Sequence, residues 1–299
     1  MPAFDCYLTV DWSAANSPKK GKDSIWFTEL ARKDGRLVQT CLENPSTRDA
    51  ATRQLADLLG ERVAQGKRVL AGFDFPFGYP TGTVTSLGHT GLLWRKIWSE
   101  LDDGLVDGPD NHNNRFDLAE RLNERISGEA FPFWGSTERR HRPFLKYKGR
   151  RPHGPGDLAE RRLVEHRIRT TQPCWKLAYN GAVGSQALTG IPRVWQLRTD
   201  PRIAFATAIW PFETGLSDQA EAQVILAEAY PSLVKPEEIP GKPKDAGQVV
   251  ALARHYADLD EVDRLGTLFE ADPALTEEEK QKVEAEEAWI LGVTGEKRP

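Results

Sequence analysis

The sequence feature that most constrains the fold is a short apolar run that ends in a single carboxylate and is then broken by prolines. Residues 68–73 (RVLAGF) lead into Asp74, and Pro76, Gly78 and Pro80 follow. Because proline cannot donate to the hydrogen-bond ladder of a sheet, the predicted strand must end near Asp74. Open α/β sheets bind ligands at the carboxyl ends of their strands, so we expect Asp74 to lie at a ligand-binding edge.

Two further apolar runs also end in one acid. Residues 6–10 (CYLTV) lead into Asp11, and residues 222–227 (AQVILA) lead into Glu228. A carboxylate at the end of an apolar strand is costly to bury without a partner, although a single one is also typical of a turn or a helix cap. Hard divalent cations prefer carboxylate oxygens, so the three acids together predict a shared site for Mg²⁺ or Mn²⁺.

A fourth acid is expected from a helix near the C-terminus. Thr276 is a candidate cap for a helix that runs to Leu291, and the acidic run 277–287 would lie on it. Three glutamates are candidate ligands, Glu284, Glu286 and Glu287. We prefer Glu287, because Ala288 beside it allows close packing. The alternative is that this acidic run forms an ordinary solvated helix face.

The order of elements predicts how the first two acids are brought together. Three strands are expected, over residues 6–12, 24–30 and 37–42, and the Asp34-Gly35 turn favours an antiparallel meander. A helix capped by Ser46 or Thr47 follows and runs to about Ala64. The next strand then lies parallel to its neighbour through a right-handed crossover. If that neighbour is the first strand, Asp11 and Asp74 emerge side by side.

The rest of the chain is interpreted as one domain over residues 1–299 with an insertion. Residues 81–205 interrupt the regular pattern, and we expect a mostly helical subdomain there, over the mouth of the sheet. After the insertion, the strand that ends at Glu228 completes a mixed five-stranded sheet flanked by helices. Asp245 is interpreted as the cap of a helix that runs to about Ala257.

The net charge of −4 conceals a basic segment. Residues 137–176 contain 12 Lys or Arg and 4 Asp or Glu, so this segment is +8 and the remainder is −12. Basic residues interleaved with aromatic ones suit a phosphate backbone and stacked bases. The candidate substrate contacts are Arg139, Arg140, Lys146 and Lys148. The alternative is that these side chains are solvated or pair with acids of the same chain.

Composition argues against several other classes of protein. No apolar run approaches the ~20 residues that cross a bilayer, and the N-terminus lacks the pattern of a signal peptide. The three cysteines are widely spaced, which fits a reducing compartment, and we expect a cytoplasmic protein without a membrane partner. The scattered histidines and cysteines also make a zinc site unexpected.

The combined motifs resemble those of the ribonuclease-H-like fold and, more narrowly, a family of domains described as predicted nucleases. The segments that carry the resemblance are 10–14 (VDWSA), 73–80 (FDFPFGYP), 227–232 (AEAYPS) and 287–288 (EA). The resemblance implies that Asp11, Asp74, Glu228 and Glu287 are catalytic metal ligands, although that superfamily usually has Asp at the last position. It further implies that Lys244 and Arg254 contact phosphates.

The expected function is therefore hydrolysis of nucleic-acid phosphodiester bonds by two carboxylate-held metal ions. A second hypothesis is a nucleotide or cofactor-phosphate enzyme on the related actin-like fold. Against it, Asp11 is followed by Trp12-Ser13-Ala14 rather than by a glycine-rich phosphate turn. A third hypothesis is a binding module for nucleic acid or protein that keeps the fold without catalysis.

Overall fold

The computed structural model describes residues 2–217 and 221–295 and contains a mixed six-stranded sheet flanked by helices. The strands are β1 Cys6–Asp11, β2 Trp26–Lys33, β3 Arg36–Glu43, β4 Val69–Phe73, β5 Thr207–Ile209 and β6 Val224–Glu228. Their spatial order is β3-β2-β1-β4-β6-β5. The first three strands are antiparallel neighbours, and β4, β6 and β5 run parallel to β1. The predicted meander and the parallel crossover are both confirmed.

The prediction of five strands is wrong, because β5 adds a sixth at the edge of the sheet. This strand has three residues and, among the strands of the described ranges, pairs only with β6, from Thr207 opposite Val224 to Ile209 opposite Leu226. Three residues are too few to show the alternation of a strand. The strand forms because the backbone of β6 offers an unpaired edge. Its formation therefore depends on the tertiary structure and not on its own sequence.

The helices are α1 Arg48–Ala64, α2 Thr83–Ser86, α3 Leu93–Gly104, α4 Arg115–Ser127, α5 Gly184–Thr199, α6 Lys244–Glu261 and α7 Glu277–Lys282. The predicted caps of α1 and α7 are confirmed: Thr47 Oγ1 accepts from Ala50 N, and Thr276 Oγ1 accepts from Glu279 N. After α7 a π turn, Val283–Glu287, ends the helix earlier than predicted. It ends there because Ala288 adopts a positive φ of 60°, outside helical geometry.

The insertion is less helical than predicted. Between the end of α4 and the start of α5, the only helical residues are a 3₁₀ turn, Leu163–His166, in a stretch that the structure describes throughout. This stretch contains five prolines and six glycines, which interrupt helical hydrogen bonding. The division into one domain, 1–299, with a subdomain at 81–205 stays a prediction.

The apolar core lies on both faces of the sheet because side chains alternate along each strand. Leu8 and Val10 of β1 pack with α1, α3, α4 and α5, whereas Tyr7 packs with α6 and the C-terminal segment. Thr9 on that second face donates its hydroxyl to Val249 O of α6 at 2.6 Å. This contact holds the N-terminal half of α6 across β1, next to Asp11.

The segment that follows β4 is covered closely by the segment that follows α7. Tyr79 N donates to Glu286 O at 3.3 Å, and Glu286 accepts from Gly82 N and Val84 N at 2.9 and 2.6 Å. A Cβ added at Gly78 would lie 2.2 Å from Glu286 O. Glycine is therefore required at this position for the two backbones to approach.

We expect Gly78→Ala to lower the free energy of unfolding by about 1–3 kcal/mol, because a Cβ would force the two backbone segments apart. Urea unfolding measures this change. The matched control is Gly60→Ala in α1, where the added Cβ meets no atom within 4 Å and should stabilise by about 0.5–1 kcal/mol. Equal stability of the Gly78→Ala variant and the parent protein would contradict the close approach.

Candidate functional site

Asp11 and Asp74 lie side by side at the carboxyl ends of two parallel strands. The register places Val10 opposite Phe73, and Asp74 N donates to Val10 O at 2.9 Å. The structure therefore brings together the two acids as the element order predicted. Both carboxylates are half-buried, and each faces another acid rather than a base.

The surroundings of the pair disfavour the charged form of both carboxyl groups. Burial, and then the charges of Asp74, Asp245 and Asp23, raise the pKa of Asp11 well above its ordinary value. Burial, and then the charge of Glu228, raise the pKa of Asp74 to about 7. Among residues 2–217 and 221–295, no hydrogen bond or positive charge lowers the pKa of either carboxyl group. A bound cation would lower the pKa of both carboxyl groups and so stabilise their charged forms.

Asp245 is a third acid at this site, and sequence reasoning missed it. It lies in the first turn of α6, and its Oδ2 accepts from Asp23 N at 2.6 Å. It was predicted to cap the helix, but the cap residue is Pro243, and α6 continues to Glu261. The sequence feature that could have indicated Asp245 is its place at the start of a predicted helix, soon after the third strand that ends in an acid. The packing of α6 over β1, which brings Asp245 to Asp11, is not visible in the sequence.

Glu228 is already neutralised by a buried arginine. Its two oxygens accept from Arg162 Nη1 and Nη2, each at 2.7 Å, and Phe77 N donates to it at 2.9 Å. Arg162 is itself 1% exposed and also donates from Nε to Glu165 at 2.9 Å. The charge and the lone pairs of Glu228 are therefore used to hold Arg162, which lies in the insertion.

The glutamates near the C-terminus accept hydrogen bonds from backbone N–H groups and from one threonine hydroxyl. Glu287 accepts from Thr81 N and Oγ1 at 2.9 and 2.7 Å through one oxygen, and from Leu163 N at 2.7 Å through the other. Glu284 accepts from Leu216 N at 3.0 Å. In the described part of the chain, no group of three or more His, Cys, Asp or Glu is arranged to hold a metal ion. The four expected ligands, Asp11, Asp74, Glu228 and Glu287, thus do not form one group here.

Two adjoining cavities give access to the acid pair. Asp11 and Asp245 line one of about 490 Å³, and Asp74 lines another of about 180 Å³. Both are bordered by Gly181, Val183 and Gln186, at the start of α5. Gln186 Nε2 donates to Trp12 O at 2.6 Å, which fixes this segment against the end of β1.

The predicted phosphate contacts fall into two groups. Arg254 pairs with Glu237 at 2.7 Å, and Arg140 pairs with Glu138 at 2.9 Å and with Asp117. Four others are exposed and form no ion pair within residues 2–217 and 221–295: Arg139, Lys146, Lys148 and Lys244. Of the two expected alternatives, pairing with acids of the same chain describes Arg140, and solvated side chains describe Arg139, Lys146 and Lys148.

Comparisons of the chain with protein-family models, with curated proteins and with solved structures gave no match. The ribonuclease-H-like assignment and the activity that the resemblance implies therefore stay predictions. The helices over residues 2–217 and 221–295 include none long and apolar enough to cross a bilayer.

We expect Asp74→Asn to stabilise the metal-free protein above neutral pH. Because the pKa of Asp74 is raised to about 7, the folded state keeps a proton that the unfolded chain releases near pH ~4. Stability is therefore lost as pH rises from ~4 to ~7. The full shift corresponds to about 4 kcal/mol, which water in the cavity reduces to about 1–2 kcal/mol.

The measurement is urea unfolding with a chelator at about pH 5 and about pH 8, where the gain should be larger at the higher pH. Asp258→Asn, at an exposed position of α6, is the matched control and should change nothing. A destabilised Asp74→Asn protein at the higher pH would show that the carboxylate is already compensated.

Proposed function

We propose that this chain is a metal-dependent phosphodiesterase of the ribonuclease-H-like type, with nucleic acid as its substrate class. The observation that carries the proposal is the pair of acids, Asp11 and Asp74, which lie at the carboxyl ends of adjacent parallel strands and form no ion pair with the described residues. The antiparallel β1–β3, the helix α1 and the parallel β4 support it, because they match the order of elements in that fold.

The donor set fits a hard divalent cation. Carboxylate oxygens are the ligands that Mg²⁺ and Mn²⁺ prefer, and in the part of the chain that the structure describes no Lys or Arg forms an ion pair with Asp11 or Asp74. Asp245 of α6 lines the same cavity as Asp11 and adds negative charge beside the pair, although three acids of the described residues are not arranged around one ion. When bound, the cation would activate a water and stabilise the leaving oxygen of the ester.

The remaining expected ligands have positioning roles in this proposal. Glu228 accepts from Phe77 N and so fixes the turn that directly follows Asp74. Glu287 anchors Thr81 at the far end of the same segment. In this proposal Glu228 and Glu287 fix the segment that follows Asp74, and neither of them binds the cation.

A polymeric substrate is supported by exposed basic residues that form no ion pair with any described residue. Lys244 directly precedes Asp245, and Arg139, Lys146 and Lys148 lie on the insertion. Unpaired Lys and Arg side chains near an active site suit the phosphates that flank a scissile bond. Binding of nucleic acid is then expected to weaken steeply with salt.

The proposal predicts that Asp11→Asn and Asp74→Asn abolish Mn²⁺-dependent hydrolysis. We expect the rate on bis(p-nitrophenyl) phosphate, and on a labelled oligonucleotide, to fall at least about 100-fold in each variant. Circular dichroism checks that both variants fold. Asp258→Asn is the control and should keep full activity. Hydrolysis at the rate of the parent protein by either Asp11→Asn or Asp74→Asn would rule out a mechanism that depends on these carboxylates.

A second prediction separates ligands from positioning residues. Calorimetric titration with Mn²⁺ should show at least about tenfold weaker binding in Asp11→Asn and Asp74→Asn. Glu228→Gln should bind Mn²⁺ as the parent protein does but lose about 1–3 kcal/mol of stability, because a buried charged hydrogen bond is weakened. If Glu228→Gln instead lost Mn²⁺ at unchanged stability, Glu228 would be a ligand.

A further inference from the structure

Arg115 is a buried cation without a carboxylate partner. It begins α4, is 8% exposed and lines the same cavity as Asp11. Its Nε donates to Ser185 Oγ at 2.9 Å, and its Nη1 donates to Asn113 Oδ1 at 2.9 Å and to Asn16 Oδ1. All three acceptors are neutral. No acid of the described residues forms an ion pair with Arg115, and its Nη2 has no acceptor among them.

Other buried arginines of this chain are compensated, so the state of Arg115 is distinctive. Arg48 pairs with Asp107 at 2.5 Å, and Arg162 pairs with Glu228 and Glu165. Burial, and then repulsion by Arg48, lower the pKa of Arg115 to about 10. A buried charge that lacks a counter-ion is costly to maintain. An anion in the cavity would remove that cost.

The same cavity contains further donors without acceptors. The helix α5 begins beside Arg115, and its cap residue Val183 offers no side-chain acceptor. The N–H groups of Ser185 and Gln186 in its first turn have no acceptor within the described ranges. Trp12, 2% exposed, also lines the cavity, and its Nε1 has no hydrogen-bond partner there. Unpaired N–H groups at a helix start attract anions.

We propose that Arg115 and the first turn of α5 form a phosphate-binding subsite that takes a phosphoryl group of the substrate. The proposal rests on the proposed function and deepens it, because the subsite opens into the cavity that Asp11 lines. A phosphate oxygen would accept from Arg115 Nη2, and others would accept from Ser185 N and Gln186 N.

Three donors, Arg115 Nη2, Ser185 N and Gln186 N, suit the several oxygens of a phosphoryl group better than the two oxygens of a carboxylate. Asp11, Asp23 and Asp245 line the same cavity and would repel any anion, phosphate included. A cation held by the acid pair would offset that repulsion, so we expect phosphate to bind more tightly when Mg²⁺ is present. The subsite would therefore orient a phosphate ester with respect to the acid pair.

The experiment uses the full chain labelled with ¹⁵N and titrated with inorganic phosphate, in the presence and absence of Mg²⁺. Phosphate at the subsite should shift the amide signals of Ser185 and Gln186 and the Nε signal of Arg115. This readout needs no variant, so it decides the proposal even if changes at Arg115 prevent folding. Shifts confined to other residues, or no shifts at all, would overturn it.

Substitutions at Arg115 provide a second test of the phosphate subsite. Arg115→Gln should weaken phosphate binding at least about tenfold, because a charge-assisted contact is lost. Arg115→Lys should recover part of that loss. Arg53→Gln, at an exposed position of α1, is the matched control and should bind as the parent protein does. Parent-like binding by Arg115→Gln would exclude the subsite.

The two proposals fail in different ways. Phosphate that binds at Arg115 in a protein that hydrolyses no phosphodiester would remove the proposed function and keep the subsite. Hydrolysis by Arg115→Gln with a KM equal to that of the parent protein would keep the function and remove the subsite.

Discussion

The buried guanidinium of Arg162 is the interaction on which the arrangement of the site depends. It joins the insertion, through Glu165, to the end of β6, through Glu228, and to the C-terminal segment, through the carbonyl of Glu287. Burial raises the pKa of Glu165 even though Arg162 lowers it, which indicates how little water reaches this cluster. Removal of one partner from such a buried network typically costs about 3–5 kcal/mol. The irregular chain of the insertion is thereby fixed over the sheet.

This cluster also divides the strand-end acids into two kinds. Glu228 pairs with Arg162, whereas Asp11 and Asp74 form no ion pair with the described residues, and burial and neighbouring acids raise the pKa of both. In sequence the three look alike, because each closes an apolar run. The residue that separates them, Arg162, is distant along the chain and lies in a segment without a regular pattern. Its pairing with Glu228 therefore depends on the tertiary structure, and no rule about neighbouring residues predicts it.

The parts of the fold that depend on residues close together in sequence were predicted correctly. The Asp34-Gly35 turn, the cap at Thr47 and the crossover through α1 together placed Asp11 beside Asp74. The sequence could not predict β5, which exists only because β6 offers an edge, nor the role of Asp245, which depends on how α6 crosses β1. Arg115 was also missed, because an arginine without a counter-ion is recognisable only once its neighbours in space are known.

The close contact between Gly78 and the backbone of Glu286 has a consequence for how the protein is made. During synthesis β1 and β4 leave the ribosome long before residues 286–287 do, so the turn beyond Asp74 has no cover while the intervening two hundred or so residues are made. The nascent chain can pair β1 with β4 early, yet the final shape of this turn must wait until residues 286–287 have emerged. The last folding step at the acid pair is thus coupled to the synthesis of a segment that is distant from it in sequence.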